Sequence, residues 1–166
     1  RLNYYAVTGL LARVCLYAGQ RENAFNYSTE VIKASNNGIF PFVDRSLVNG
    51  TAQDPDRIFS PEVLFALSDS QRGELFEEYF DPSLAPNMVF RMETDLLEQT
   101  IYGGTGTGGN LDDYRCRSNW ISSGSARYFY KYSDMTESGR IENTMIPLLR
   151  LGEMYLIAAE SQSNSL

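Results

Sequence analysis

The chain has 166 residues, and its 21 acidic and 14 basic side chains give a formal net charge of −7. This acidic excess argues against a nucleic-acid-binding protein, because neutralising phosphates requires clustered Lys and Arg. The absence of histidine excludes His-dependent nucleophile systems and His-ligated metal sites, and two cysteines cannot form a four-thiolate zinc site.

The first predicted helix covers residues 3–18. Leu10 and Leu16 widen a stripe of apolar side chains at helical spacing, so we expect this helix to be buried on more than one side. Gly19 is predicted to end the helix in the left-handed conformation. The stripe consists of Val7, Leu11, Val14, Cys15 and Ala18.

A second helix is predicted over residues 22–35, ended by Asn36-Asn37-Gly38. The loop between the two helices is so short that they are expected to run antiparallel. Ala12 and Ala24 are small enough to let the two backbones approach closely. One face of the second helix is predicted to contain Ala24, Tyr27, Ser28, Val31 and Ile32.

The stretch that follows the two helices is predicted to be largely irregular. Residues 39–60 and 73–87 either are rich in Pro, Gly, Asn and Asp or show no regular spacing of apolar side chains. Residues 62–67 form either a short strand or another buried segment, because short apolar runs do not distinguish the two. The acidic cluster of this region is predicted to be a solvated face; it comprises Glu74, Glu77, Glu78 and Asp81.

Three further features are predicted before the last helix. Residues 92–102 are expected to form a short helix, and residues 126–132 an aromatic-rich strand. Residues 103–110 contain five glycines, but the run lacks the Gly-Lys-Ser/Thr ending of a phosphate-binding loop. We therefore expect a flexible loop there.

The last predicted helix begins at Pro147, which is well suited to a first-turn position. Arg150 and Glu153 are expected to form an i, i+3 ion pair on this helix. Its inner face is predicted to contain Leu151, Met154, Tyr155 and Ala158.

Small residues in the first helix pair follow the pattern of a tetratricopeptide-type repeat. Ala12, Gly19 and Ala24 stand at the positions where that repeat has small residues. Cys15 departs from the pattern, because the repeat usually has an aromatic residue there. The last helix resembles the first half of another such repeat.

Two segments together resemble the SusD/RagB family of outer-membrane nutrient-binding lipoproteins of Bacteroidetes. The first is NYYAV at residues 3–7 and LLARVCLYAG at 10–19, followed by Ala24 and EVI at 30–32. The second is IPLLRLGEMYLIAAE at residues 146–160. Weaker motifs occur between them in the order that the family shows: EVLF at 62–65, DYR at 113–115 and YFYKY at 128–132.

The resemblance implies a mainly α fold, with tetratricopeptide-like helix pairs and a long irregular excursion carrying a few short strands. Residues 1–36 would be a helical hairpin, 37–145 the excursion and 146–166 the start of a further pair, all within one SusD-like domain. The implied protein is not an enzyme, needs no cofactor, and is held at the cell surface of the outer membrane by a lipid anchor outside this chain. Its implied partners are an oligosaccharide or other nutrient and a SusC-like TonB-dependent transporter.

We expect ligand contacts in the segment around and after the glycine run, where aromatic and polar side chains are densest. Sugar rings stack their C–H faces on aromatic side chains, with Trp120 or Tyr114 as the expected platform. The alternative is that Trp120 packs over the helices. Asp113 would then pair with Arg115 or Arg117 and hold the loop. The candidate ligand-binding residues are Trp120, Tyr114, Tyr102, Asn119, Arg115 and Asp112, with no catalytic residue and no metal ligand.

Two other function classes stay open at this point. A tetratricopeptide-type scaffold for protein partners would stack its helix pairs contiguously, whereas residues 37–145 separate them here. A glycosidase would require a pair of suitably spaced carboxylates, for which the sequence offers no spacing argument. Cys15 is predicted to be a small buried hydrophobe, and the pairing of Cys116 stays undecided.

Overall fold

A computed structural model of the chain describes residues 3–48, 55–93, 113–124, 126–135 and 139–162. About half of these residues are helical and the strands are few and short, in agreement with the mainly α class. The chain forms two compact units. The first comprises Arg1–Val43, Phe59–Ser68 and Ile146–Leu166, and the second comprises Asp44–Ile58 and Asp69–Met145.

The described part of the chain contains six α-helices and four strands. The helices are α1 (Tyr4–Tyr17), α2 (Arg21–Asn36), α3 (Arg45–Val48), α4 (Arg72–Tyr79), α5 (Tyr114–Ser118) and α6 (Leu151–Gln162). The strands are β1 (Val63–Ser68), β2 (Trp120–Ser123), β3 (Ala126–Phe129) and β4 (Met145–Arg150). None of the helices described is both long enough and apolar enough to cross a bilayer.

The boundaries predicted for α1 and α2 are confirmed to within one residue, and capping residues define the start of α1 and the ends of both helices. The Asn3 side chain caps α1 by accepting the backbone N–H of Ala6 at 2.9 Å. At the other end Gly19 has φ +73°, and the N–H of Gln20 donates to the carbonyl of Cys15 at 2.8 Å. The same arrangement ends α2, where Gly38 has φ +81°.

The first unit is built around α2, which packs against both α1 and α6. The hydroxyl of Tyr4 donates to the Glu30 carboxylate, so the start of α1 lies beside the later half of α2 and the two helices run antiparallel, as predicted. Ala12 and Ala24 are fully buried. The core comprises Ala12, Cys15, Ala24, Val31, Leu64, Leu149, Leu151, Met154 and Ile157.

The orientation of α1 is the reverse of the one that its apolar stripe predicted. Val14 is 60% exposed and Val7 and Leu11 are each 41% exposed, whereas of the predicted stripe only Cys15 is buried. Small side chains face the core because the packing is close: a Cβ on Gly9 would lie 2.7 Å from Leu149 Cδ2. The expected burial on more than one side is also wrong. The buried residues of α1 are Ala6, Thr8, Gly9, Ala12 and Cys15.

The prediction that a helix begins at Pro147 is wrong, because the segment around this residue is a strand. Pro147 lies within β4, which pairs with β1 in a two-stranded sheet, and α6 begins only at Leu151. A strand with one unpaired edge can accommodate proline, whose missing N–H is then no loss to the ladder. The alternative of a strand at residues 62–67 is confirmed by β1. On α6 Leu151 and Met154 are buried as predicted, and Tyr155 is 38% exposed.

The ion pair predicted between Arg150 and Glu153 is absent from the described contacts, since Arg150 ends a strand and its guanidinium lies over the Phe59 ring. Glu153 instead pairs with Arg13 of α1. The Arg13 Nε and Nη2 atoms donate to the two carboxylate oxygens at 2.6 and 2.7 Å, and Nη2 also donates to the Leu148 carbonyl. This bidentate pair links α1, β4 and α6.

In the second unit a helix replaces part of the predicted irregular stretch 73–87. Helix α4 begins at Arg72, whose side chain is 3% exposed and donates to the carbonyls of Glu142 at 2.6 Å and Met145 at 3.2 Å. The helix has few apolar residues, so its sequence lacks the 3.6-residue spacing of apolar side chains that would predict a helix. Its acidic residues do face solvent as predicted; Glu74, Glu77 and Glu78 are exposed.

Strands β2 and β3 form an antiparallel hairpin in which Trp120 is opposite Phe129. The predicted strand over residues 126–132 is confirmed only for its first four residues. Within the predicted loop 39–60, the short helix α3 is present. The predicted helix 92–102, apart from its first two residues, and the glycine-rich run 103–110 lie outside the described residues.

Candidate functional site

Four of the six predicted ligand-binding residues lie on one continuous segment of the second unit. Tyr114 and Arg115 are the first two residues of α5, Asn119 ends that helix, and Trp120 begins β2. The local sequence therefore turns directly from a helix into a strand at the Asn119–Trp120 junction. Tyr102 and Asp112 lie outside the described residues.

The local ion pair considered as an alternative is present between Asp113 and Arg115. Arg115 Nη2 lies 2.6 Å from Asp113 Oδ2, and the backbone N–H of Arg115 donates to Oδ1 at 2.9 Å. The hydrogen bond from the Arg115 side chain lowers the pKa of Asp113 below its ordinary value. Asp113 thereby caps α5, and this pair serves to hold the start of the helix.

Asn119 is 7% exposed and serves the corner between α5 and β2. Its Oδ1 accepts the hydroxyl of Ser118 at 3.2 Å, and its carbonyl accepts the backbone N–H of Tyr130 at 2.7 Å. A side chain buried in this way has no open surface to offer a ligand. Its effect on the site is indirect, because it fixes where the neighbouring Trp120 begins β2.

Trp120 is half-buried and borders an open groove with a volume of about 540 Å³. Its ring centroid lies 5.2 Å from that of Phe129, which lies 5.7 Å from that of Phe80. Phe90 continues the row at 6.3 Å from Phe80. We call this feature the aromatic groove; its lining residues are Phe80, Phe90, Arg91, Met92, Glu93, Trp120 and Phe129.

Short-range backbone contacts bring these rings together. Phe80 follows the last turn of α4, and its N–H donates to the Phe76 carbonyl at 2.8 Å. The chain then turns back, so that the N–H of Phe90 donates to the carbonyl of Tyr79 at 2.7 Å. The hairpin register supplies the third contribution by placing Trp120 opposite Phe129. Each ring is thus held by a fixed stretch of backbone.

The groove combines a large apolar surface with two charged side chains. Phe90 is 64% exposed, and such an exposed large aromatic side chain beside other rings is a typical ligand or partner contact. Arg91 provides hydrogen-bond donors to the groove, and Glu93 provides acceptors. A groove of this kind can bind a molecule with a flat apolar face and hydrogen-bonding groups at its edge.

Most of the groove-lining residues are not recognisable as ligand-binding residues from their local sequence. Of the four predicted ligand residues that the structure describes, only Trp120 borders the groove, whereas the sequence places Phe80 and Phe90 in the irregular excursion and Phe129 in an aromatic-rich strand. These rings come from three segments that are far apart in the chain, so no local motif could unite them. The available signal was the aromatic-rich composition of those segments, with Tyr and Phe together contributing 20 residues.

A second cavity in the same unit is too small for a nutrient. Its volume of about 10 Å³ corresponds to a single water molecule. The guanidinium of Arg72 reaches this cavity while donating to the surrounding carbonyls, and it lies 3.4 Å from the Asp134 carboxylate. We therefore interpret this cluster as an internal support for α4. Its charged lining residues are Asp56, Arg57, Arg72, Lys131 and Glu142.

Among the residues that the structure describes, no group of His, Cys, Asp or Glu side chains is arranged to hold a metal ion. Cys15 and Cys116 are both buried and are not joined by a disulfide, and the prediction that Cys15 is a small buried hydrophobe is confirmed. Compared with models of known protein families, with curated proteins and with solved structures, the chain gives no match.

Proposed function

We propose that the chain belongs to a cell-surface protein that captures an oligosaccharide or another nutrient and delivers it to a SusC-like TonB-dependent transporter of the outer membrane. A lipid anchor outside this chain would hold the protein at the membrane. The proposal starts from the resemblance of residues 3–32 and 146–160 to the SusD/RagB family. In the same proposal α1 and α2 form a tetratricopeptide-like pair, and α6 begins the next pair.

The observation that carries this proposal is the half-buried indole of Trp120 at the border of the aromatic groove. The groove volume of about 540 Å³ falls in the range of small-molecule sites. Glu93 is the single carboxylate among the described lining residues, whereas glycoside hydrolysis commonly uses two. This arrangement favours binding over hydrolysis.

The packing of the first unit is compatible with the proposed helix pairs. Helix α2 contacts α1 on one side and α6 on the other, as the second helix of a repeat contacts its own partner and the next repeat. Ala12 and Ala24, two of the small residues in the repeat-like spacing, are completely buried.

The proposal is tested by titrating the full chain in a calorimeter with a panel of oligosaccharides that includes unsubstituted, acylated and aryl-substituted members. At least one oligosaccharide is expected to bind, and Trp120→Ala is expected to weaken that binding tenfold or more, which corresponds to about 1.4 kcal/mol. Tyr17→Ala is the matched control, because Tyr17 is an exposed aromatic residue of the other unit. The proposal fails if no oligosaccharide of the panel binds, or if both variants bind like the parent chain.

A second candidate function, a scaffold for protein partners, is favoured by the exposed side of α1. This side carries a continuous apolar stripe, and Arg13, the one charged residue of the helix, is paired with Glu153. A large apolar stripe without charge is typical of protein interfaces. We call this exposed row of side chains the α1 stripe, which is distinct from the apolar stripe predicted from the sequence. It consists of Tyr4, Val7, Leu11, Val14 and Tyr17.

The two candidates predict different results for the same pair of variants. Glycan capture requires that Trp120→Ala weakens binding while Val14→Lys, which alters only the α1 stripe, leaves it unchanged. A scaffold instead predicts that the parent chain binds no oligosaccharide. It also predicts that Val14→Lys removes a partner protein identified by mass spectrometry after co-purification.

A further inference from the structure

We infer that the ligand of the aromatic groove carries an aryl or acyl substituent and is not an unsubstituted sugar. The inference rests on the proposed function, since it names the class of nutrient that this groove selects. It follows from the balance of apolar and polar groups in the lining. Phe80, Phe90, Met92 and Phe129 present only carbon, hydrogen and sulfur to the groove.

The hydroxyl groups of a bare sugar would be poorly satisfied in such surroundings. Each hydroxyl that leaves water needs a hydrogen-bond partner, and burial without one is unfavourable. The charged partners in the described lining are Arg91 and Glu93, which come one and three residues after Phe90 in the chain. The rest of the groove is walled by the rings of Phe80, Phe129 and Trp120.

An aromatic or short aliphatic group matches this wall. The centroid of the Phe80 ring lies 6.3 Å from that of Phe90, at a tilted angle, and 5.7 Å from that of Phe129, at an edge-on angle. Their faces are therefore turned toward different directions, and a further ring can pack edge-to-face against them. The sugar part of the same ligand would extend to Arg91 and Glu93, which can hydrogen-bond its hydroxyls.

The test compares phenyl β-glycosides with methyl β-glycosides of the same set of sugars. Trp120 is the only tryptophan of the chain, so its fluorescence reports binding at the groove, and calorimetry gives the affinity. Phenyl glycosides are expected to bind about thirtyfold more tightly, or about 2 kcal/mol at 1.4 kcal/mol per tenfold. Equal affinities of the two series would overturn the inference while leaving glycan capture intact.

Two variants tie the preference to the groove. Phe90→Ala is expected to remove most of the difference between phenyl and methyl glycosides, because Phe90 is the most exposed ring of the groove lining and its loss removes apolar contact area. Met88→Ala is the matched control, since Met88 is 62% exposed, almost as much as Phe90 at 64%, but does not line the groove. A phenyl preference that survives Phe90→Ala would contradict the inference.

The remaining outcomes separate the inference from the proposed function. If phenol alone binds as tightly as the phenyl glycosides, the apolar group binds in the groove as inferred, but capture of a glycan is refuted. If neither series binds and the oligosaccharide panel also fails, both proposals fall.

Discussion

At the residue scale, Gly9 shows how a single missing side chain decides the packing of α1. The three side chains closest to a Cβ at this position belong to Leu149, Met154 and Leu64, which come from β4, α6 and β1. All three are buried in the same core, so none can move away without displacing the others. Gly9 therefore allows the helix to approach both strands and the last helix together.

We expect Gly9→Ala to destabilise the protein although alanine is the better helix former. The added methyl group would lie 2.7 Å from Leu149 Cδ2, and such overpacking costs about 1–3 kcal/mol, against a gain in helix propensity of about 1 kcal/mol. Gly152→Ala in α6 is the control, because nothing lies within 4 Å of its added Cβ. Urea unfolding should therefore rank Gly152→Ala above Gly9→Ala by at least about 1 kcal/mol, and equal stabilities would refute the close approach.

Asp113 gives a prediction for the dependence of stability on pH. Because its pKa is lowered in the folded protein, its charge stabilises the fold above the unfolded pKa of about 3.9, and this contribution is lost as the pH falls through the folded value. Asp113→Asn keeps a capping side chain but removes the charge. Since Arg115 is 62% exposed, we expect a loss of only about 0.5 kcal/mol at pH 7, shrinking toward zero as the pH falls through the lowered pKa of Asp113.

The pH dependence is measured by urea unfolding of both proteins between pH 7 and pH 2.5. Arg115→Gln should weaken the pH dependence without removing it, because the Arg115 side chain is the largest cause of the lowered pKa of Asp113 but the backbone N–H groups of residues 115 and 116 still lower it. If the free energies of unfolding of the parent chain and of Asp113→Asn differ by the same amount at every pH, the effect comes from the hydrogen bond at the start of α5 and not from the charge of Asp113.

At the scale of the element, the sequence predicted the ends of α1 and α2 to within one residue but predicted the wrong buried face for α1. Asn3, Gly19 and Gly38 have specific local roles as caps, and such roles can be read from a few neighbouring residues. The facing of α1 is not local, since the helix has apolar residues on both sides. The side with small residues is buried because β4 and α6 approach it closely.

A lysine scan tests the facing of α1. Val14→Lys is expected to change the free energy of unfolding by no more than about 0.5 kcal/mol, because this side chain is 60% exposed. Ala12→Lys, two residues earlier, should unfold the first unit, because Ala12 is completely buried and a charge there has no partner. Thermal unfolding distinguishes the two, and the reverse ranking would restore the orientation expected from the apolar stripe.

The misassigned elements have physical reasons of their own. Pro147 suits both a first helical turn and an unpaired strand edge, and its pairing partner β1 lies about eighty residues earlier in the chain. Helix α4 is stabilised by Arg72, whose acceptors belong to a segment some seventy residues later. Neither contact is visible in a local window of sequence, so neither element could be predicted from its own residues.

At the scale of the whole molecule, each unit is assembled from segments that are distant in sequence. Arg13 and Glu153 are 140 residues apart and nevertheless form a bidentate pair in the first unit. The aromatic groove of the second unit likewise combines residues near 80, 90 and 120–129. Composition predicted that aromatic residues were available for a binding site, but the identity of the groove follows only from this long-range assembly.

The discontinuity of the first unit has a consequence for its biosynthesis. Helices α1 and α2 leave the ribosome more than a hundred residues before α6, whose Leu151, Met154 and Ile157 complete the core. At 5–20 residues per second this interval is on the order of ten seconds. Throughout it, Ala24 and Val31 of the nascent chain have no α6 to cover them. The apolar face of the hairpin is therefore uncovered during this interval, and we expect a chaperone to bind it during translation.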